Sequence, residues 1–169
     1  ITIPGLLFLD TPGHAAFTTL RKRGGSIADI AILVVDITEG FQPQTEESIL
    51  ILKEFKTPFV VVANKIDRVV GWSPTKDECF FNTQKNQSDR VVEELENKMY
   101  KLVGQLVERG FDCERYDRIS SFTKQISIVP ASGKTGEGIQ DLLMVLTGLA
   151  QRFLQNKIKF TKGQGKGTV

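Results

Sequence analysis

Residues 59–67 read FVVVANKID, in which an apolar run of mostly branched residues passes directly into a polar motif. A short, continuous apolar run is typical of a strand that is buried on both faces of a parallel sheet. Other runs share this character, and the predicted strands are residues 5–9, 27–35, 59–63 and 125–131. Ligands of open α/β sheets bind beyond the carboxyl ends of the strands, so the polar residues after these runs mark the predicted site.

Helical patterns alternate with the predicted strands, which favours an α/β fold with a mostly parallel sheet and right-handed crossovers. The predicted helices are residues 15–23, 44–56, 88–109 and 139–154. The third has an apolar stripe on one side and charged residues on the other. Met99 and Met144 lie on apolar faces of their helices and are predicted to belong to the core.

The composition is that of an ordinary globular protein. The chain has 169 residues, of which 25% are charged and 40% hydrophobic, and its formal net charge is +2. These values exclude a disordered chain and a polycation. Cys79 and Cys113 form neither a disulfide framework nor a zinc cluster, which favours reduced thiols. Without a membrane span or a signal peptide, the sequence predicts a soluble, cytoplasmic protein with no membrane partner.

The first polar motif is Asp10-Thr11-Pro12-Gly13-His14, directly after the run 5–9. An aspartate at a strand end is placed to reach Mg²⁺ through water. Gly13 can bring its backbone N–H close to a phosphate oxygen because no Cβ obstructs the approach. His14, the only histidine, could orient an attacking water. An ordinary turn also explains an Asp and a Gly at these positions, so this motif alone does not decide between the two interpretations.

The second motif, Asn64-Lys65-Ile66-Asp67, follows the run 59–63. A carboxylate at Asp67 can accept hydrogen bonds from the N1–H and the exocyclic amine of guanine, and adenine offers no such pair of donors. The Asn64 amide either contacts the base or pins the neighbouring loop, and the stem of Lys65 can lie over the flat ring. The two motifs together favour a guanine nucleotide.

The third motif, ASGKTGEG, occupies residues 131–138. Small residues there let backbone N–H groups approach a base carbonyl such as guanine O6. Gly136 and Gly138 shape the entry into the last helix. The GKT within the motif resembles the end of a phosphate loop, but that pattern requires a glycine at position 128, where Ile128 stands, so the phosphate-loop interpretation is rejected.

The ordered motifs DTPG (10–13), NKID (64–67) and SGK (132–134) resemble the later three of the five signature motifs of the Ras-like GTPase superfamily. A histidine directly after the glycine of the first motif resembles the translational GTPases. Residues 15–26 and 41–45, with the insertion around Gly71 and Trp72, are similar to the archaeal and eukaryotic subunit-joining initiation factors, the relatives of bacterial initiation factor two.

The resemblance implies a Ras-like fold that binds GTP or GDP with Mg²⁺. It implies that Asp10 holds Mg²⁺ through water, that Gly13 senses the γ-phosphate and that His14 positions the hydrolytic water. The residues that it assigns to the base are Asn64, Lys65, Asp67, Ser132, Gly133 and Lys134. Gly133 replaces an alanine that is commoner in the third motif, a departure that should preserve the backbone contacts.

The family's phosphate loop and first switch are expected to precede Ile1, so the chain is expected to be a piece of a longer protein. We predict a GTPase domain over residues 1–156 with an insertion at about 68–88, and a linker with the start of a β-barrel domain over 157–169. The strand before the phosphate loop would lie between runs 5–9 and 27–35, which should therefore either pair directly or leave a gap. The chain alone is expected to bind GTP weakly and to be inactive.

The implied function is GTP binding and hydrolysis in a translation initiation factor that promotes ribosomal subunit joining and places initiator tRNA. Its partners would be the GTPase-activating region of the large ribosomal subunit and, through other domains, initiator tRNA. The alternatives are a non-hydrolysing nucleotide-binding or scaffold module and another translational, tRNA-modifying or ribosome-assembly GTPase. The basic run 21–23 either contacts ribosomal RNA or follows from the helix dipole. For Trp72, Phe80 and Phe81 we favour packing under the domain over a docking surface.

Overall fold

A parallel sheet of four strands forms the centre of the computed structural model, which describes residues 5–12, 28–122 and 124–154. The strands are β1 Ala31–Asp36, β2 Phe59–Asn64, β3 Cys113–Arg115 and β4 Ile126–Pro130, in the spatial order β1-β2-β4-β3. In the ladders, Asp36 lies opposite Asn64, and Ala63 lies opposite Pro130. The carboxyl ends of β1, β2 and β4 therefore meet at one edge of the sheet. The predicted parallel α/β arrangement is confirmed.

Helices follow or connect the strands, and their bounds are α1 Pro43–Phe55, α2 Phe80–Lys85, α3 Asp89–Glu108 and α4 Ile139–Phe153. Helix α1 begins with Pro43, whose ring presets the helical φ where no intrahelical N–H bond is needed. It ends at Lys56, which adopts the left-handed conformation with φ 53°. The apolar stripe of α3 is buried, as its period predicts: Val91, Leu95, Met99, Leu102 and Leu106.

The core lies on both faces of β2. Val60, Val61 and Ala63 have no exposed surface, and Val62 is buried as well. Successive side chains of a strand point to opposite faces, so this uninterrupted burial requires a covering layer on each side of the sheet. No helix among the described residues is both long enough and apolar enough to cross a membrane.

The predicted strand at residues 5–9 is wrong. The segment is irregular and exposed, with Leu7 86% and Phe8 59% accessible to solvent. An apolar run becomes a buried strand only where another strand completes its ladder, and none of the described strands lies on the outer side of β1. Runs 5–9 and 27–35 were expected either to pair directly or to leave a gap between them. Direct pairing does not occur among the described residues.

The other predicted elements agree with the structure to within a few residues where they are described. The strand predicted from residue 27 begins at Ala31, after a bend at Asp29 and Ile30. The predicted helix 15–23 and the predicted linker 157–169 lie outside the described residues. Strand β3 was not predicted, because a strand of only three residues with the sequence CER has no apolar period.

The aromatic residues of the predicted insertion separate into two groups. Trp72 and Phe80 are buried, and their rings stack with centroids 6.5 Å apart, so packing under the domain is confirmed for both. For Phe81 that prediction is wrong, since its side chain is exposed. Met99 is in the core as predicted, but Met144 is 54% exposed because the buried stripe of α4 runs along another side.

Candidate functional site

The predicted polar motifs at the ends of β2 and β4 come together at the carboxyl edge of the sheet. Parallel pairing in register places Asn64, at the end of β2, beside the loop that follows Pro130. Two backbone hydrogen bonds fix this junction, from the N–H of Ala131 to the carbonyl of Ala63 and from the N–H of Ile66 to the carbonyl of Ala131. The second and third motifs therefore form one site.

Asn64 ties these two motifs together. Its Oδ1 accepts hydrogen bonds from the backbone N–H of Lys65 at 2.8 Å and from the backbone N–H of Gly133 at 3.0 Å. Of the two roles that the sequence left open for this amide, the structure shows the pin on the neighbouring loop. The contact fixes the distance between the second and third motifs.

Asp67 lies in a turn of 3₁₀ helix, Ile66–Arg68, that is anchored by the fully buried Ile66. The Ser132 hydroxyl donates a hydrogen bond to Asp67 Oδ1 at 2.6 Å. Ser132 is itself fully buried, so this donor has a fixed position and orients the carboxylate. Asp67 is only partly buried, and each carboxylate oxygen has two lone pairs. The carboxylate can therefore accept two further, adjacent donors from a planar ring, as guanine would present them.

Lys65 adopts the left-handed conformation with φ 68°, which is uncommon for a residue with a side chain. Its ammonium lies 2.7 Å from Asp36 Oδ2, at the end of the neighbouring strand β1. Asp36 Oδ1 accepts the backbone N–H of Thr38 at 2.9 Å and its hydroxyl at 2.6 Å. Although partial burial opposes ionisation, the hydrogen bonds from Lys65 and Thr38 lower the pKa of Asp36 to about 2. This ion pair fixes the end of the lysine stem and leaves its methylene groups for contact with a flat ring.

Asp36 should make the stability of the domain depend on pH in the acidic range. Its folded-state pKa is about 2, below the usual 3.8, so its contribution is present above pH 4 and is lost as the pH falls towards 2. At pH 7, we expect Asp36→Asn to lower the free energy of unfolding by about 1–2 kcal/mol. Urea unfolding of wild type and variant at pH 7, 4 and 3 should show this difference shrinking with acidity. A difference that is constant over these pH values would contradict the assignment.

The 132–138 loop, which joins β4 to α4, holds its shape through its own backbone. The N–H of Ser132 donates to the carbonyl of Glu137 at 2.9 Å, and the N–H of Gly136 donates to the carbonyl of Ser132 at 2.9 Å. Ser132 Oγ also accepts the N–H groups of Lys134 and Thr135 at 3.3 and 3.2 Å. A Cβ added at Gly133 would meet Asn64 at an ordinary 3.8 Å, so the alanine that is commoner at this position would also fit.

Two residues of this region were missed by the sequence analysis. Asp36 directly follows the predicted strand 27–35, and the rule that directed attention to the residues after the other strands would have found it. Glu137 lies inside the third motif, but the hydrogen bonds that it accepts from Trp72 and Thr75 come from residues more than 60 positions away, and nothing local indicates them. The two carboxylates contact residues of the second and third motifs, Asp36 through Lys65 and Glu137 through Thr135.

The first motif is only partly described. Asp10 lies at the exposed end of the irregular segment 5–12, and Gly13 and His14 lie outside the described residues. Within the described ranges, no group of three or more His, Cys, Asp or Glu side chains could hold a metal ion. The structure therefore describes the base-recognition half of the predicted site.

Comparison with known proteins agrees with this geometry. The profile of the elongation factor Tu GTP-binding domain matches residues 2–152. Over its whole length, the chain is 62% identical to a probable translation initiation factor IF-2 from Methanothrix thermoacetophila and 58% identical to one from Methanopyrus kandleri, and it spans 28% of each. The crystal structure of GDP-bound aIF5B from Aeropyrum pernix matches with a TM-score of 0.87 and 50% identity, over 96% of this chain and 28% of that one.

The fold and the site define a GTP-binding domain with the Ras-like fold of the translational GTPases. The chain belongs to the elongation factor Tu GTP-binding domain family. This result confirms the fold, the family and the GTP/GDP ligand that the sequence motifs implied. The chain spans less than a third of the length of the curated relatives named above.

Proposed function

We propose that this chain is the GTP-binding and GTP-hydrolysing domain of a translation initiation factor that promotes ribosomal subunit joining and the placement of initiator tRNA. The observation that carries the proposal is the Asp67 carboxylate, oriented by the buried Ser132 hydroxyl at the carboxyl edge of the sheet. The relatives named translation initiation factor IF-2 support the place of this GTPase in initiation.

Base recognition is the part of the function that rests on described contacts. Asp67 accepts the N1–H and the exocyclic amine of guanine, and the stem of Lys65 covers the ring. Asn64 holds the loop through Gly133. Ser132 with Gly133 would then close over the base, with Lys134 beside them. Adenine has an acceptor where guanine has the N1–H donor, so Asp67 would repel it.

Hydrolysis is assigned to the first motif through its resemblance to the translational GTPases. Asp10 would hold Mg²⁺ through water, and the ion would supply neutralisation of the phosphate charge. Gly13 would sense the γ-phosphate through its backbone N–H, and His14 would orient the attacking water. We assign residues 1–156 to this domain, with an insertion at about 68–88, and 157–169 to a linker leading into a β-barrel.

The partners follow from the same resemblance. The GTPase-activating region of the large ribosomal subunit would order the catalytic residues around the nucleotide. Initiator tRNA would be bound through other domains of the full-length protein. GTP hydrolysis would therefore time a step of initiation, and most of the catalytic rate would appear only on the ribosome.

The test compares His14→Ala with wild type in the full-length protein. We expect purified ribosomal subunits to stimulate GTP turnover of wild type, and the variant to lose at least about tenfold of the stimulated rate, since positioned proton-transfer groups contribute about 10²–10⁴-fold. GTP affinity, measured in parallel by calorimetry, should stay within about twofold, because the role proposed for His14 is to orient the attacking water and not to bind the base. Binding without any turnover by wild type would favour the scaffold alternative, and equal turnover would remove His14 from the mechanism.

A further inference from the structure

Glu137 is a fully buried carboxylate that the proposed function does not use. Its Oε1 accepts hydrogen bonds from the indole N–H of Trp72 at 3.1 Å and from the backbone N–H of Thr75 at 3.0 Å. Its Oε2 pairs with the hydroxyl of Thr135. A carboxylate is retained in a buried position only where such partners compensate for lost hydration. Glu137 therefore joins the 132–138 loop to residues 72–80, called the brace segment below.

Further hydrogen bonds connect the brace segment to the 132–138 loop and to the start of α4. These run from Asp77 N–H to Thr135 O (2.9 Å), from Gly138 N–H to Glu78 O (3.0 Å), from Gln140 Nε2 to Asp77 O (2.8 Å) and from Phe80 N–H to Asp141 Oδ2 (2.7 Å). The packing is close enough that a Cβ at Gly136 would lie 2.1 Å from Asp77 Oδ1. The brace segment thus fits directly against the back of the loop.

The opposite side of the 132–138 loop contacts the carboxylate of Asp67, which is proposed to recognise the base. Thr135 contacts Glu137 through its hydroxyl, and its backbone N–H donates to Ser132 Oγ. Ser132 in turn donates to Asp67, and its own N–H donates to the carbonyl of Glu137. A continuous path of hydrogen bonds therefore runs from the brace segment, through Glu137, to Oδ1 of Asp67, whose carboxylate would accept hydrogen bonds from guanine.

We propose that Glu137 is a positioning residue for guanine recognition, through which the brace segment sets the affinity and the specificity of nucleotide binding. This inference rests on the proposed guanine site. Glu137 does not touch the base. It fixes Thr135 and Ser132, and these fix the direction in which Asp67 presents its oxygens. Loss of the Glu137 carboxylate frees the loop and misaligns Asp67 for the two donors of guanine.

The experiment measures dissociation constants for GDP and for inosine diphosphate in the full-length protein. Hypoxanthine lacks the exocyclic amine, so the ratio of the two constants reports the bond that Asp67 makes to that amine. We expect Glu137→Ala to weaken GDP binding about tenfold and to reduce the GDP preference at least about threefold. Glu137→Gln, which keeps an acceptor for Trp72 and Thr75, should restore both values to within about twofold of wild type.

Met99→Ala is the matched control, because it removes buried volume from α3 and takes no part in the hydrogen-bonded path from Glu137 to Asp67. It should lower stability and leave the GDP preference unchanged. If Glu137→Ala does not fold, Thr135→Val tests the same path, and we expect it to reduce the preference about twofold. The inference would be overturned if the folded Glu137→Ala protein showed the same GDP preference as wild type. The same holds for Thr135→Val if Glu137→Ala does not fold. Failure of wild type to bind GDP would instead overturn the proposed site.

Discussion

Asp67→Asn should weaken binding of GTP to the full-length protein about 100- to 1,000-fold and should make xanthosine triphosphate the preferred nucleotide. The amide replaces an acceptor by a donor that faces the exocyclic amine of guanine, so one charge-assisted hydrogen bond is lost and two donors oppose each other. A cost of about 3–4 kcal/mol follows. Xanthine has a carbonyl in place of the amine and retains N1–H, which suits an amide. Competition of both nucleotides against labelled GDP measures the change.

Asp89→Asn is the control for this exchange of carboxylate for amide. Asp89 lies exposed in the first turn of α3, and its replacement should leave the affinities for both nucleotides unchanged. The Ser132 hydroxyl can still donate to the remaining oxygen at position 67, so the loop should keep its shape in the Asp67 variant. If GTP stays preferred over xanthosine triphosphate, Asp67 does not read the base.

The meeting of the second and third motifs was predictable because its determinants are local. The run 59–63 is a strand whose two faces are both buried, and the polar motif begins at the residue where the strand ends. Parallel strands gather their carboxyl ends, so placing the second motif beside the third required only the fold class. The distances of Asn64 to Gly133 and of Ser132 to Asp67 depend on the register between β2 and β4, which cannot be predicted from the sequence.

The errors arose where structure depends on distant partners. Leu7 and Phe8 have the apolar character of a core strand, but hydrophobicity does not supply the neighbouring strand that a ladder requires. Strand β3 shows the opposite error, because it has no apolar pattern and yet forms a strand. Its three residues pair with the edge of β4. Met144 was assigned to the core because α4 is apolar on more than one side, and only the packed fold shows which side faces the sheet.

Glu137 and Asp36 could not be assigned from sequence for a related reason. Their partners are brought close only by folding, since Glu137 accepts a hydrogen bond from Trp72 and Asp36 pairs with Lys65. A motif search finds the residues that would contact the ligand, but it omits the residues that position them. The 132–138 loop is the clearest example. One part of the chain stabilises the side that is proposed to face the base, and another part stabilises the buried side.

Gly138→Ala should be among the most destabilising small substitutions in this domain, with a loss of about 3–5 kcal/mol in the free energy of unfolding. Gly138 has φ +72°, which costs an alanine about 1–2 kcal/mol. Its Cβ would also lie 2.1 Å from the carbonyl oxygen of Pro130 and 3.1 Å from Cα of Ala131. Both contacts are backbone atoms, which can yield only by moving the end of β4 or the start of α4, at about 2–3 kcal/mol more. A decrease in melting temperature of at least about 6 °C follows.

Two alanine substitutions separate this effect from a general cost of replacing glycine. Gly133→Ala lies in the same loop, meets Asn64 at 3.8 Å and has no positive φ, so it should leave stability within about 0.5 kcal/mol of wild type. Gly104→Ala lies in the middle of α3 with no atom within 4 Å of its Cβ, and should raise stability by about 0.4–1 kcal/mol. Thermal and urea unfolding of the three variants should rank Gly104→Ala first and Gly138→Ala last. A Gly138→Ala protein as stable as Gly133→Ala would mean that the loop adopts another conformation.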